Sequence, residues 1–464
     1  MLGMAMEEAT AGTRVLLGDQ RKGILALTIP IAVALLIQQI NNIVDSLWVA
    51  GLGADPMAAI GAVYPIYCVL IGIGNGLGIG ASAAIARNIG RDNRKDANGV
   101  ASQALVLTII VSLAMMLVLM VTAEGTMGLM GVGDMVGTCL DYAYPVYLCT
   151  LPIILSGVLS GMLRGEGQAR RSMWIQAVGA MVNIILDPVL IYGLDMGVAG
   201  AAWATGIAFA ASCVIGLYWY VRGKGMYIRI GKGWLTFDAR LQKEILTVGM
   251  PEAIELSVMN LFNIFLNYYV IFCGGTDALA IYSTAWRVVY ILMIPAQAVG
   301  GAMVAVCSAE SAMGRFDMVR DAFRYSVIIS VSALVLLSAV MVVFSGPIAS
   351  AFTYSDELKG LHGEMVRLLH YFALFLPVMS LVYTGSSLMQ ALQHAGGAMV
   401  NTLVRNILLV ALFAAGAYMF GTLDSLWWAL TIGEMIGGIM MGIHAVRTLG
   451  LESSQAPGGP ANAY

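Results

Sequence analysis

Charge is what this 464-residue sequence has least of: Asp, Glu, Lys and Arg together make 11% of it, against 59% hydrophobic residues. A water-soluble domain carries roughly 25% charge, and a soluble fold of this size cannot hide so much apolar surface. The solvent for most of the chain is therefore lipid. Histidine is scarce, with four in all, and the six cysteines (Cys68, Cys139, Cys149, Cys213, Cys273, Cys307) stand singly in apolar stretches. With no C-x-x-C and no nearby His, a disulfide framework or zinc site is excluded as the organising principle, and no cofactor is expected. The net charge of -3 comes without any basic block or tail, which excludes nucleic acid as a partner. No G-x-x-x-x-G-K-[ST] phosphate loop occurs, so any work has to draw on an ion gradient rather than a nucleotide. Residues 1–23 are polar and lack the apolar core of a cleaved signal peptide, so the first helix is expected to act as the membrane signal.

What is abundant is apolar run. Stretches long enough to cross about 30 Å of hydrocarbon fall near residues 24–50, 58–86, 99–122, 139–163, 173–193 and 199–221, and again near 244–272, 279–308, 323–346, 365–389, 398–420 and 425–446. The expected fold is an all-α integral membrane protein of about twelve transmembrane helices. Residues 1–221 form an N-terminal lobe, 222–243 a polar linker, 244–447 a C-terminal lobe and 448–464 a disordered tail.

Lys and Arg are retained on the cytoplasmic side during insertion. The first residues, alternate loops, the linker and the last residues hold 20 of the 24 cations, while Lys359 and Arg367 lie on the opposite side. This asymmetry puts both termini in the cytoplasm.

The halves repeat. Pro30 matches Pro251, Gly53-Ala54-Asp55 matches Gly275-Thr276-Asp277, and Gly90-Arg91 followed by Lys95-Asp96-Ala97 matches Gly314-Arg315 followed by Arg320-Asp321-Ala322. Matching helices are six spans apart, an even number, so the two lobes run the same way through the membrane. Parallel repeats of this kind frame a central cavity in many transporters.

Against this apolar background a buried acid is costly, and it is functional by default. Asp45 sits in helix one with Asn41 one turn earlier, and Asp187 sits in helix five with Asn183 one turn earlier. Pro188 follows and is expected to kink the helix, leaving the Ile184 carbonyl without its usual helical partner. If the two acids converge, they need one proton or one small cation between them. The repeat places Leu266 opposite Asp45 and Phe413 roughly opposite Asp187, which confines cation binding to the N-terminal lobe.

Other candidates carry weaker signals. Glu252 and Glu255 share a face of helix seven, and Glu255 is deep enough to hold a cation or cationic substrate. Trp48, Tyr64 and Tyr142 are placed to stack on flat organic cations, although packing explains each as well. Arg287, Arg405 and Glu434 fall inside spans and are expected to neutralise one another or reach an interface. The run Gly72, Gly74, Gly76, Gly78, Gly80 reads as close helix packing.

The stretches Asn41-Asn42-Ile43-Val44-Asp45-Ser46-Leu47-Trp48, Gly51-Leu52-Gly53, Gly161-Met162-Leu163-Arg164-Gly165-Glu166-Gly167 and Asn183-Ile184-Ile185-Leu186-Asp187-Pro188, with the two-lobe plan, resemble the multidrug and toxic compound extrusion (MATE) transporters over roughly residues 20–447. The prokaryotic DinF-type branch is the nearer. The resemblance implies export of amphipathic, often cationic organic compounds in exchange for H+ or Na+, by a monomer in the cell membrane. It also implies an N-lobe cation site of an Asp from helix one, an Asn and an Asp from helix five and a Thr from helix six, carried here onto Asp45, Asn183, Asp187 and Thr205. The carboxylates that the NorM-type branch uses in helix ten have no counterpart in His370–Tyr383. Two rivals are a flippase for lipid-linked oligosaccharides, which needs cavity cations, and an intramembrane aspartyl enzyme, which needs a water-activating dyad rather than acids flanked by Asn.

Overall fold

The computed structural model describes residues 10–129, 133–230, 237–353 and 359–455. Fifteen α-helices occur among the described residues. The first half comprises α1 (Ala11–Leu17), α2 (Gln20–Ala50), α3 (Ala54–Gly90), α4 (Arg94–Leu129), α5 (Val136–Leu148), α6 (Thr150–Gly165), α7 (Ala169–Pro188) and α8 (Gly197–Arg222). The second half comprises α9 (Ala239–Leu292), α10 (Ile294–Ala312), α11 (Phe316–Val343), α12 (Ser345–Phe352), α13 (His362–Ala391), α14 (Ala395–Met419) and α15 (Leu423–Gln455).

Ten of these helices are long and apolar enough to cross a membrane, and α5 with α6, bent by 49°, make an eleventh span. Helix α9 is two arms joined at Gly275, where the backbone leaves the helical region; its second arm continues into α10 and completes twelve. This agrees with the spans expected from the apolar runs. The bend at Cys149 was not expected. Pro152 has no N–H to offer the Leu148 carbonyl, so the ladder of one continuous helix fails there. The tail expectation is corrected in part: residues 448–455 continue α15 as helix, and 456–464 lie outside the described residues.

The repeat extends to backbone conformation. Gly53 and Gly275 both take positive φ, +106° and +71°, in the turn that follows the first helix of each half. Residues with a Cβ rarely enter that region, which is why glycine stands at both places. A second matched pair is Gly167 (φ +77°) and Gln393 (φ +66°), which follow α6 and α13, the ends of the fourth span of each half. Because the second position is Gln, a residue that rarely takes positive φ, this pair is not legible from residue type.

The chain packs as two compact units, Met1–Leu256 with Val304–Met313, and Ser257–Met303 with Gly314–Tyr464. The first unit thus takes in the starting arm of α9 and the end of α10, beyond the boundary at 221. Glycine is the reason. Lipid tails are as apolar as Leu, so helices associate by close packing rather than by hydrophobic drive. Residues two apart on a helix face nearly opposite ways, so the glycine run of α3 divides into two stripes. Gly74 and Gly78 meet α6, where a Cβ on Gly78 would lie 2.5 Å from the Gly157 carbonyl oxygen. Gly76 and Gly80 meet α9, where a Cβ on Gly76 would lie 2.6 Å from the Gly249 carbonyl oxygen. At the same end Arg87 pairs with Glu244 at 3.9 Å, and Gly90 lies against the Ala309 backbone.

The second unit keeps the scaffold without acids at the matched positions. Leu266 and Phe413 are both buried in its apolar cluster, beside an aromatic group in which Tyr282 stacks on Trp427 at 5.7 Å and 10°. Arg405 and Glu434 are buried 3.4 Å apart and neutralise each other, as expected. Arg287 is exposed on α9.

Gly80→Val should therefore lower thermal stability, by about 1–3 kcal/mol for overpacking against backbone. Gly61→Val is the control, since open space surrounds Gly61. Equal melting temperatures for the two variants in detergent would remove the close-packing account.

Candidate cation site

Helices α2 and α7 lie side by side in the first unit, and their shared face carries the amide and acid pairs. Spacing of four residues stacks Asn41 beneath Asp45 on α2 and Asn183 beneath Asp187 on α7. Asn41 Nδ2 donates to Asn183 Oδ1 at 2.8 Å, and Asn183 Nδ2 donates to Asp187 Oδ1 at 3.0 Å. Asn183 thus spends both ends of its amide fixing the rotamers of its neighbours, while the carboxyls of Asp45 and Asp187 come within hydrogen-bonding reach of each other. Asp187 is fully buried, Asn183 nearly so and Asp45 half-buried.

Three oxygens at this place accept no hydrogen bond: Asn41 Oδ1, Asp45 Oδ1 and Asp187 Oδ2. Buried acceptors without donors are expensive, and two carboxylates this close in low dielectric repel. A proton shared by the pair removes the repulsion. A small hard cation does the same and uses the oxygens as ligands.

Immediately after Asp187 the helix changes character. Helix α7 ends at Pro188 and passes into a π-helical turn, Val189–Gly193, a rare irregularity that is frequent at functional sites. The kink expected at Pro188 is therefore a change of helix type.

Other expected residues are placed more loosely. Thr205 on α8 donates its hydroxyl to the Ala201 carbonyl at 3.0 Å, and no hydrogen bond joins it to either aspartate. Tyr142 is buried within electrostatic reach of both acids, and Tyr64 stands near it. The Trp48 ring meets Tyr192 edge-on at 6.3 Å, and the Trp48 carbonyl accepts from the Tyr192 hydroxyl at 2.5 Å, which ties the end of α2 to the π turn. Glu255 is half-buried on α9 with contacts of its own. Tyr67 was missed. It lies 6.1 Å from Tyr64, ring to ring, and within reach of Asp45; its place one turn after Tyr64 was the available signal.

Residues 30–189 and 251–415, more than half of the chain, match the MatE family. The chain belongs to the MatE family. Among relatives of this MatE protein, the multidrug export protein MepA of Staphylococcus saprophyticus is 25% identical over 425 residues, covering 89% of this chain and 91% of that one. The probable multidrug resistance protein YoeA of Bacillus subtilis is 25% identical over 342 residues, covering 71% and 73%. A multidrug resistance MATE transporter of the MOP superfamily, solved in an outward-facing conformation, superposes with a TM-score of 0.92 at 27% identity, over 97% of this chain and all of the other. A MOP superfamily transporter from Pyrococcus furiosus, described as having a binding pocket of reversed polarity, superposes with a TM-score of 0.92 at 28% identity, over 96% and 99%. The two-lobe, twelve-helix membrane fold is that of these structures.

Asn183→Leu keeps the bulk of the side chain and removes both amide bonds. It should cost about 1–3 kcal/mol by leaving an Asp187 oxygen without its donor, and Asn41→Ala, which loses one bond, should cost less. Thermal unfolding of the two purified variants checks the order; a reversed order would discard the bridging role of Asn183.

Proposed function

We propose that this MatE protein is a secondary active exporter of amphipathic, often cationic organic compounds, driven by exchange for H+ or Na+. The observation that carries the reading is the Asp45–Asp187 pair, with three buried oxygens lacking donors and Asn183 holding the geometry.

Coupling on this reading is a matter of populations. A cation or proton at the pair binds one conformation more tightly than another, and a substrate binds the other; each ligand shifts the balance only by its difference in affinity. No covalent step is needed, and the protein is not an enzyme. Asp45 and Asp187 hold the coupling ion, Asn183 orients Asp187 and ties it to Asn41, and Thr205 completes the set only after its hydroxyl leaves Ala201. The aromatic rings of Tyr64, Tyr67 and Tyr142, beside a negative pair, suit a flat organic cation. Alternating access also has to break the glycine contact between α3 and residues 245–253.

The protein lies in the cell membrane, and the face bearing the basic loops is the cytoplasmic one, with both termini on it. It works as a monomer on this reading. Export of a phosphate-bearing lipid-linked sugar is disfavoured, because such a substrate needs a cluster of cations, and of the two arginines clearly within the spans Arg405 is neutralised by Glu434, leaving Arg287 alone.

Asp45→Asn and Asp187→Asn should insert and purify normally yet lose ion-driven substrate efflux from proteoliposomes by tenfold or more, an order of magnitude in keeping with loss of about 1.4 kcal/mol or more of coupling. Full activity in both would sink the proposal. Na+ and pH gradients imposed separately on the wild type identify the coupling ion.

A further inference from the structure

A second buried carboxyl lies away from the aspartate pair, at the end of the first unit that bears the basic loops. Glu166 follows the last residue of α6, is fully buried and accepts a hydrogen bond from the Ile228 backbone N–H at 2.5 Å. Its other oxygen, Oε2, has no hydrogen-bond partner, and neither has the buried Tyr220 hydroxyl within its electrostatic reach.

Ile228 belongs to the strand of irregular backbone, residues 223–229, that opens the connection between the two halves. Side chains of the first unit hold this strap at successive residues from Lys224 to Arg229. Arg171 Nη2 donates to the Lys224 carbonyl at 3.0 Å and Gln168 Nε2 to the Gly225 carbonyl at 3.0 Å. Arg94 Nε donates to the Tyr227 carbonyl at 3.1 Å, and the Arg229 N–H donates to Asn98 Oδ1 at 2.8 Å. Arg171 also reaches the Met226 sulfur. Ile228 is fully buried at the centre of the strap, and Glu166 is the ionisable group beneath it.

We propose that Glu166 is a proton-operated clasp: protonated, it keeps the strap seated on the first unit, and ionised, it loosens the strap. The groups facing it are Arg171 from α7, Arg94 from α4, Tyr220 from α8 and Tyr227 from the strap itself; α1 packs Gly12 against the Glu166 carbonyl. Burial pushes the Glu166 carboxyl up to about 7, and the Ile228 and Tyr227 amides with the two arginines offset this only in part. A carboxyl raised in the folded state contributes stability that is complete below the ordinary carboxylate range and is lost as pH rises through about 7. The clasp therefore closes in acid and opens in alkali, and with the basic face in the cytoplasm it reads cytoplasmic pH.

Amide hydrogen exchange of the full-length protein in lipid nanodiscs tests this, with intrinsic exchange corrected for pH. Protection over residues 226–229 should fall roughly tenfold between about pH 6 and about pH 8, and Glu166→Gln should hold it high at both. Gln168→Ala removes one strap bond without the titrating group, so it should lower protection yet keep the pH step. A flat wild-type profile overturns the clasp, and so does a Glu166→Gln profile that keeps the step. If Glu166→Gln does not fold, the wild-type and Gln168→Ala profiles decide, since both must show the step. The outcome is independent of the efflux assays with Asp45 and Asp187.

Discussion

Hydrocarbon offers a polar group no partner, and the arrangement of this molecule follows from that single deprivation. Backbone amides find partners by forming helices, so every described span is helical. Polar side chains cannot turn to solvent and have to find one another. Asn41, Asn183, Asp45 and Asp187 do so across two helices, and three of their oxygens are left without donors. A set of acceptors that outnumbers its donors, in a medium that supplies neither, is what the proposed coupling role rests on.

The same medium explains the glycines. Where water is absent, helices gain little from hiding leucine against leucine, and contact between backbones becomes the means of association. The two faces of α3 use this in different ways. Gly74 and Gly78 lock it to α6 inside the first half, while Gly76 and Gly80 meet Gly249 at the start of the second. One helix therefore joins a partner in its own half and the starting arm of α9, and both contacts lie within the first unit.

The two halves show how duplication and specialisation coexist. Positive-φ glycines at 53 and 275 keep the turn in both. Where the first half has aspartates, the second has Leu266 and Phe413 in an aromatic-rich core. Its buried charges, Arg405 and Glu434, satisfy each other and so leave little electrostatic demand for an ion, in contrast to the pair on α2 and α7.

The sequence by itself determined the solvent, the number of spans, the repeat and the candidate acids, because each depends on composition or on short-range spacing. Runs of apolar residues fix span length, and a four-residue interval fixes which side chains share a helix face. It also exposed Asn183 as a neighbour of Asp187. Tertiary structure alone decided that Asn183 joins α2 to α7, that Thr205 turns to its own helix, that Pro152 breaks the fourth span, and that Glu166 sits beneath the strap. Those outcomes depend on which helices lie side by side and on how a side chain divides its hydrogen bonds, and neither is written in the periodicity of one helix.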